Sequence, residues 1–281
     1  MTDQDPTLHS KQSLLSRITG VLTLGWSDSP GGRLRLRRMV SRSARVALRA
    51  RSRPFPCDVF KSVAVVAPHP DDETLGCGGT LAVLASGGAA IYVVFVTDGS
   101  ASHPSHPRIA ASDIAKMRRA EAKEATGALG VHWDRVLFVD APDGGLAGLD
   151  NAGSDAVASR IAAMLAEVAP DAVLLPLRRD GSSDHDASFI LVRLALQKAA
   201  QSPRIFEFPI WAWRNPLLQL GPIFASRAIW RIDIKDVLDR KAAALGAYVS
   251  QIRPIPPDTR PVLSQEFTSE FGLPEEYFFE R

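Results

Sequence analysis

Short apolar runs alternate with helical patterns along most of this chain, and this alternation constrains its fold more than any other feature. Helical patterns cover residues 113–129 and 154–168. The apolar runs indicate strands, and they lie at residues 63–67, 91–96, 136–139, 172–175 and 204–208. Strands that alternate with helices predict an α/β fold, a mostly parallel sheet with helices on both faces. With 281 residues and 46% hydrophobic content, the chain is large enough to bury such a core.

The hexapeptide Pro-His-Pro-Asp-Asp-Glu at residues 68–73 directly follows the first apolar run. Open α/β sheets bind their ligands at the carboxyl ends of their strands. An imidazole and several carboxylates packed this closely are costly to desolvate unless a cation neutralises them. His69 and Asp72, with Asp71 between them, suit a hydrolytic metal centre with two ligands and a general base. A helix N-terminus would also favour Asp71, Asp72 and Glu73, but it does not require His69.

A second polar group follows another apolar run. His185 lies in Arg-Arg-Asp-Gly-Ser-Ser-Asp-His-Asp at residues 178–186, directly after the run at 172–175. Its segment therefore also emerges from the end of a predicted strand. Because catalytic Zn²⁺ usually takes three protein ligands and a water, the two strand ends could share one cation. The glycines at 76, 78 and 79 lack the spacing of a dinucleotide-binding fingerprint, so we expect them to permit tight packing of a helix on the sheet.

These motifs resemble those of the LmbE-like, or PIG-L-type, N-deacetylases. The hexapeptide resembles the first motif of that family. Weaker motifs follow in the same order over about residues 60–280: Val-Thr-Asp-Gly at 96–99, Arg118 and Glu121 in an Arg-x-x-Glu helix, Pro-Asp-Gly at 142–144 and Ser-Gln at 250–251. The resemblance implies a three-layer, Rossmann-like α/β fold. It also implies a hydrolase that removes an acetyl group from an N-acetylglucosamine-type sugar conjugate with the help of a metal.

The resemblance further implies a ligand set and a base. His69, Asp72 and His185 would bind one divalent metal, and Asp71 would take a proton from water and return it to the leaving amine. Zn²⁺ is the expected metal, although His and carboxylate ligands also suit Fe²⁺, Co²⁺ and Mn²⁺.

Three further residues receive implied roles. Asp184 would orient or charge a neighbouring side chain rather than bind the metal. Arg118 and Asp143 would contact sugar hydroxyls. For these two residues, a buried Arg–Asp tether between elements is the alternative interpretation.

Two positions depart from the family pattern. Ser182 stands where the family often has a histidine that helps to stabilise the oxyanion, so that role is vacant or filled by another group. Arg178 and Arg179 are nearby candidates. Tyr248 stands where a histidine often precedes the Ser-Gln pair. Neither change touches the implied metal ligands.

Residues 1–55 are predicted to form an arginine-rich extension, partly disordered or a peripheral helix, that precedes a deacetylase domain at residues 56–281. Arginines and apolar residues are mixed over residues 33–53, a pattern that could contact an anionic membrane or form a solvated helix packed on the domain. The net charge of only +2 gives no reason to expect nucleic-acid binding. The polar, acidic start does not suit a signal peptide.

Cys57 and Cys77 are too few for a disulfide framework, and as free thiols they favour a reducing cytoplasm, with membrane association through the extension as an option.

Two other function classes stay open. One is a carbohydrate-binding protein without turnover, suggested by Ser182. The other is a membrane- or nucleic-acid-binding module driven by the arginine-rich extension. The sequence leaves the substrate and the oligomeric state open, and Trp211, Trp213 and Trp230 could stack on sugars or belong to the core.

Overall fold

The computed structural model describes residues 30–104, 106–214 and 226–281. The chain divides into two compact units, residues 1–46 and 47–281. The first described helix is α1 (Pro30–Arg51). The first 29 residues of the predicted extension lie outside the described residues. No helix in the described part of the chain is long and apolar enough to cross a bilayer.

Residues 47–55, which the sequence assigned to the extension, belong to the larger unit. Leu48 and Phe55 are buried in its core, and the short strand β1 (Arg53–Pro54) pairs with a strand near the C-terminus. The structural unit therefore begins before residue 56, because apolar side chains of the preceding segment complete its core. A functional division at residue 56 stays a prediction.

Among the described residues, eight strands form one sheet in the order β1-β7-β8-β6-β5-β2-β3-β4. The other strands are β2 (Ser62–Ala67), β3 (Ala90–Thr97), β4 (Val136–Ala141), β5 (Ala172–Pro176), β6 (Arg204–Phe208), β7 (Ala228–Asp233) and β8 (Glu275–Glu280). The helices that follow α1 are α2 (Asp72–Ser86), α3 (Ala111–Leu129), α4 (Asn151–Val168), α5 (Ser183–Lys198), α6 (Leu238–Ala247), α7 (Val249–Ile252) and α8 (Gln265–Ser269).

The predicted α/β architecture is confirmed. All five predicted strands are present, and they pair in parallel with one another as β2 to β6. Strands β7 and β8 were not predicted, and β8 runs antiparallel between β6 and β7.

The sheet buries a separate apolar core on each face. Alternate side chains of a strand point to opposite faces, and β2 is apolar at every buried position. Val63 and Val65 therefore join the core that α2, α3 and α6 cover, whereas Ala64 and Val66 join the core under α4 and α5. This continuous apolar run requires helices on both faces, which explains the three layers.

The chain reverses its direction across the sheet between β2 and β5. From β2 it proceeds outward through β3 to β4, and it then returns to place β5 on the other side of β2 and continues to β6. The ends of β2 and β5 thus form a topological switch point, where open α/β sheets leave a crevice for a ligand. The two polar segments singled out in the sequence follow these two strands.

Two of the three predicted glycines of α2, Gly76 and Gly79, allow close packing on the sheet and on the residue after β7, whereas Gly78 faces Leu129 and Lys241 of neighbouring helices. A Cβ on Gly76 would lie 2.0 Å from Cδ2 of Phe208 on β6, and a Cβ on Gly79 would lie 2.5 Å from Cδ1 of Ile234. Any side chain at either position would push the helix that begins at Asp72 away from the sheet.

We predict opposite effects for alanine at two helical glycines. Gly76→Ala should lower the free energy of unfolding by about 1–3 kcal/mol or more, because its methyl group overlaps the Phe208 ring. Gly127→Ala in α3, where no atom lies within 4 Å of the new Cβ, should raise it by about 0.5–1 kcal/mol through helix propensity. Urea denaturation measures both changes. Equal stability of the two variants would contradict this account of the packing.

Candidate metal centre and active site

The structure brings together the three predicted metal ligands. His69 lies in the loop after β2, Asp72 is the first residue of α2, and His185 lies in the first turn of α5. Oδ2 of Asp72 is 3.1 Å from Nδ1 of His69 and 3.4 Å from Nε2 of His185. One ligand atom from each residue lies within 4.8 Å of the other two. Their binding of a metal stays a prediction, but the geometry permits it.

The donor set fits a divalent cation. Nε2 of His185 is buried and has no hydrogen-bond partner in the described part of the chain. A buried polar atom without a partner is costly, and a metal ion at this position would remove that cost. Two imidazole nitrogens and one carboxylate oxygen are ligands that Zn²⁺ accepts in catalytic sites, where the fourth position is left for water.

The outer nitrogen of His69 faces two further carboxylates. Nε2 of His69 lies 3.2 Å from Oδ1 of Asp143 and 3.3 Å from Oδ2 of Asp184. Asp184 also accepts hydrogen bonds from the backbone N–H groups of Gly144 and Leu146. These contacts permit the orienting role of Asp184, which stays a prediction. A carboxylate on one ring nitrogen fixes the tautomer, so the other nitrogen can face a metal.

The predicted base, Asp71, is held in an unusual backbone conformation between the two ligands of its loop. Its φ of 134° lies in a region that residues other than glycine rarely adopt, and such a residue stores about 1–3 kcal/mol of strain. Its backbone N–H donates to Oε2 of Glu73 at 3.0 Å, and its Oδ2 accepts from Nη2 of Arg118 at 3.1 Å. Both contacts hold the carboxyl group at the wall of the cavity.

Tyr248 contacts the residues that flank Asp71 on the side away from the cavity. Its hydroxyl donates to Oε1 of Glu73 at 2.6 Å, and the Arg118 guanidinium carbon lies 5.2 Å from the centre of its ring. The tyrosine is fully buried. It therefore packs behind Asp71 instead of lining the cavity, a role that sequence reasoning did not identify.

The Arg-x-x-Glu and Ser-Gln motifs bind each other. The Glu121 carboxylate accepts hydrogen bonds from the backbone N–H of Ser250 at 2.6 Å and from its hydroxyl at 2.7 Å. This contact fixes α7 to α3, and the neighbouring Gln251 lines the cavity. The sequence analysis identified both motifs but did not predict that they contact each other.

The two imidazoles lie in a field that favours positive charge. Burial lowers the pKa of His185, but the Asp72 and Asp180 carboxylates outweigh burial and raise this pKa to about 9. Burial likewise opposes protonation of His69, yet the carboxylates around it, Asp143 first, raise its pKa well above its ordinary value. Metal binding requires neutral imidazoles. A cation would therefore have to displace the imidazole protons that the surrounding carboxylates stabilise.

The two neighbouring aspartates are shifted in opposite directions. Burial raises the pKa of Asp71 to about 7, against the opposing pull of Arg118. Burial also acts to raise the pKa of Asp72, but the charge of the adjacent His185 and the contacts with His69 hold it below its ordinary value. The ligand position thus keeps its negative charge more readily than the base position.

A cavity of about 500 Å³ opens over these groups. Its polar wall includes Asp71, Arg118, Asp143 and Ser182. The two predicted sugar-binding residues, Arg118 and Asp143, therefore line the same cavity as the serine that departs from the family pattern. Its other lining residues include Leu75, Ser102, Ile210, Trp211, Gln251, Val262 and Leu263.

The remaining candidates lie elsewhere. Arg178 and Arg179 are not among the described residues that line the cavity, and Arg178 lies 3.8 Å from Glu207. Of the three candidate tryptophans, Trp211 lines the cavity, whereas Trp213 is buried in the core and Trp230 packs partly buried against it.

A mostly parallel α/β sheet with a His-Asp-His cluster at its switch point is a fold and site suited to metal-assisted hydrolysis. The sequence profile of the family described as "PIG-L: GlcNAc-PI de-N-acetylase" matches residues 64–196. Over residues 64–196 the chain is therefore similar to the LmbE-like, PIG-L-type deacetylases, as the resemblance of the motifs indicated.

Individual relatives agree with this assignment. A probable N-acetyl-alpha-D-glucosaminyl L-malate deacetylase 2 from Bacillus cereus is 29% identical over 71% of this chain and 87% of its own length. A 1D-myo-inositol 2-acetamido-2-deoxy-alpha-D-glucopyranoside deacetylase from Rhodococcus opacus is 28% identical over 78% of this chain and 90% of its own. The solved N,N'-diacetylchitobiose deacetylase from Pyrococcus horikoshii shares the fold, with a TM-score of 0.60, 18% identity and coverage of 100% of this chain and 95% of its own.

Proposed function

We propose that this chain is a metal-dependent N-deacetylase of an N-acetylglucosamine-type sugar conjugate. The observation that carries the proposal is the buried Nε2 of His185, which has no hydrogen-bond partner among the described residues. It lies 3.4 Å from Oδ2 of Asp72, and a ligand atom of His69 lies within reach of the same metal position. The names of the relatives support deacetylation, and they cover malate, inositol and chitobiose conjugates. Zn²⁺ is the expected metal, and its identity stays a prediction.

The residues of the cavity divide the chemistry among them. His69, Asp72 and His185 would hold the metal. When bound, a divalent cation polarises an amide carbonyl and lowers the pKa of water from ~16 toward ~7. The Asp71 carboxylate, held at the cavity wall by Arg118, would accept the proton of the attacking water and then donate it to the amine nitrogen as the C–N bond breaks.

Ser182 would stabilise the oxyanion less strongly than the histidine that the family often has at this position. Ser182 lies at the N-terminus of α5 and lines the cavity, so its hydroxyl can donate to a developing negative charge. It carries no positive charge, so its contribution should be smaller than that of a protonated histidine.

Arg118 and Asp143 keep their proposed contacts with sugar hydroxyls. Nε of Arg118 is buried without a hydrogen-bond partner in the described residues, and Nη1 lies 3.6 Å from Oε2 of Glu121. The side chain lines the cavity and also tethers Asp71. Asp143 lines the same cavity, and its Oδ2 accepts from the backbone N–H of Ala101 at 2.7 Å. Sugar recognition and positioning of the base would therefore be combined in Arg118.

Substitution of the base tests the mechanism. Asp71→Asn should bind zinc as the unchanged chain does, while kcat for acetate release falls by about 10²- to 10⁴-fold. Asp140→Asn is the matched control, because Asp140 also pairs with an arginine, Arg119, but on the surface. It should keep kcat within about twofold. The measurement is acetate release from N-acetylglucosaminyl malate, N-acetylglucosaminyl inositol and N,N'-diacetylchitobiose.

Two results would contradict the proposal. Asp71→Asn with more than about a tenth of the original kcat would remove Asp71 as the base, since general-base catalysis contributes at least about 10²-fold. A zinc-loaded chain that binds these sugars but releases no acetate from any of them would favour the carbohydrate-binding alternative.

We also propose that the arginine-rich segment contacts an anionic membrane surface. Met39, Arg42 and Val46 follow one another at helical spacing on α1 and are exposed, with 58% exposure for Met39 and 70% for Val46. A stripe that mixes apolar and cationic side chains can insert among lipid headgroups and attract their charge. A cytoplasmic location stays a prediction.

Vesicle sedimentation tests this contact. The full chain should bind phosphatidylcholine vesicles that contain phosphatidylserine, and the double variant Arg42→Glu, Val46→Glu should lose most of that binding. The matched control, Arg193→Glu with Ile190→Glu, changes an exposed Arg and an exposed aliphatic residue on α5. Equal loss in both double variants, or binding that does not weaken with salt, would overturn the contact.

A further inference from the structure

Asp180 is a buried carboxylate that neither the family motifs nor the proposed mechanism assigns. It follows β5 and is fully buried. Its Oδ2 lies 3.0 Å from Nδ1 of His185. It also accepts hydrogen bonds from three consecutive backbone N–H groups, those of Ile210 at 3.2 Å, Trp211 at 2.8 Å and Ala212 at 2.7 Å. One side chain therefore joins two separate parts of the site.

The first contact selects the reactive nitrogen of His185. A carboxylate beside Nδ1 holds the ring proton there, which leaves the lone pair on Nε2. Nε2 of His185 is buried, has no hydrogen-bond partner in the described residues, and lies 3.4 Å from Oδ2 of Asp72. Asp180 thus aims His185 at the position where the other two proposed ligands meet.

The second contact fixes a wall of the cavity. Ile210 and Trp211, whose N–H groups Asp180 accepts, both line the cavity. The Trp211 ring also stacks on Phe267, with a distance of 4.8 Å between ring centres and an interplanar angle of 15°. The tryptophan is therefore held through its backbone by Asp180 and through its ring by Phe267.

We propose that Asp180 is a positioning residue that couples the metal ligand His185 to the Ile210–Trp211 wall of the cavity. The proposal rests on the metal site proposed above. It predicts that one substitution weakens metal binding and also disturbs the part of the cavity that receives the substrate.

Asp180→Asn keeps the size of the side chain but offers an N–H group where the carboxylate accepts hydrogen bonds. Asp171→Asn is the matched control, because Asp171 also accepts two backbone N–H groups, those of Lys61 and Ser62, but at the opposite end of β5. We expect Asp180→Asn to weaken the Kd for Zn²⁺ by about 10- to 100-fold, the range typical for loss of a partner of a metal-binding histidine. The control should stay within about threefold.

Zinc titration of both variants, with circular dichroism to verify folding, measures this difference. A folded Asp180→Asn variant with a Kd within threefold of the unchanged chain would overturn the proposal. Because no substrate is present, the result is separate from the outcome of the deacetylation assay. For a variant that turns over substrate, a raised KM would support the coupling to the Trp211 wall, whereas an unchanged KM would overturn that part.

If Asp180→Asn does not fold, the unchanged chain still provides a test. Nuclear magnetic resonance of the zinc-loaded chain with ¹⁵N-labelled histidine reports which ring nitrogen of His185 carries the proton. A proton on Nδ1 with zinc on Nε2 supports the role of Asp180. A proton on Nε2 would overturn it.

Discussion

The parallel pairing of β2 with β5 is the constraint on which the site depends. His69 and Asp72 follow β2, Asp180 and His185 follow β5, and the two strands are direct neighbours at the point where the chain changes direction across the sheet. A contact such as that between His69 and Asp184 spans 115 residues of sequence. Only the sheet brings these segments together, so a shift of either strand would separate the proposed ligands from each other.

A cluster of buried charges is expensive, and this structure compensates it with contacts from several elements. Glu73 is held by the hydroxyl of Tyr248, and Glu121 is held by Ser250. Beneath them, Nζ of Lys241 lies 2.6 Å from Oε1 of Glu276, whose carboxylate also accepts N–H groups from the middle of α2. These contacts fix the helix that carries Asp72, and they would keep the proposed ligands and base in place before any substrate binds.

The sequence was sufficient to predict the five parallel strands and the two polar segments that meet at the switch point, because both signals are local. Apolar runs mark buried strands, and the hexapeptide carries its ionisable groups within a single loop. The antiparallel strand β8 was missed because its sequence contains three glutamates, and the burial of Glu276 depends on partners that are distant in sequence, Lys241 and the N–H groups of α2. The role of Asp180 was missed for a similar reason: its partners at residues 210–212 are backbone groups, which no side-chain pattern marks.

The central claim is that His69 and His185, which are distant in sequence, bind one metal ion. The most direct measurement is metal content per chain after metal-replete purification, for the unchanged chain and for His69→Ala and His185→Ala, with the exposed His132→Ala as control. We expect close to one equivalent in the unchanged chain and in the control, and a nearly complete loss in the other two variants. Full metal content after removal of either proposed ligand, or an unchanged chain that contains no metal, would contradict the account.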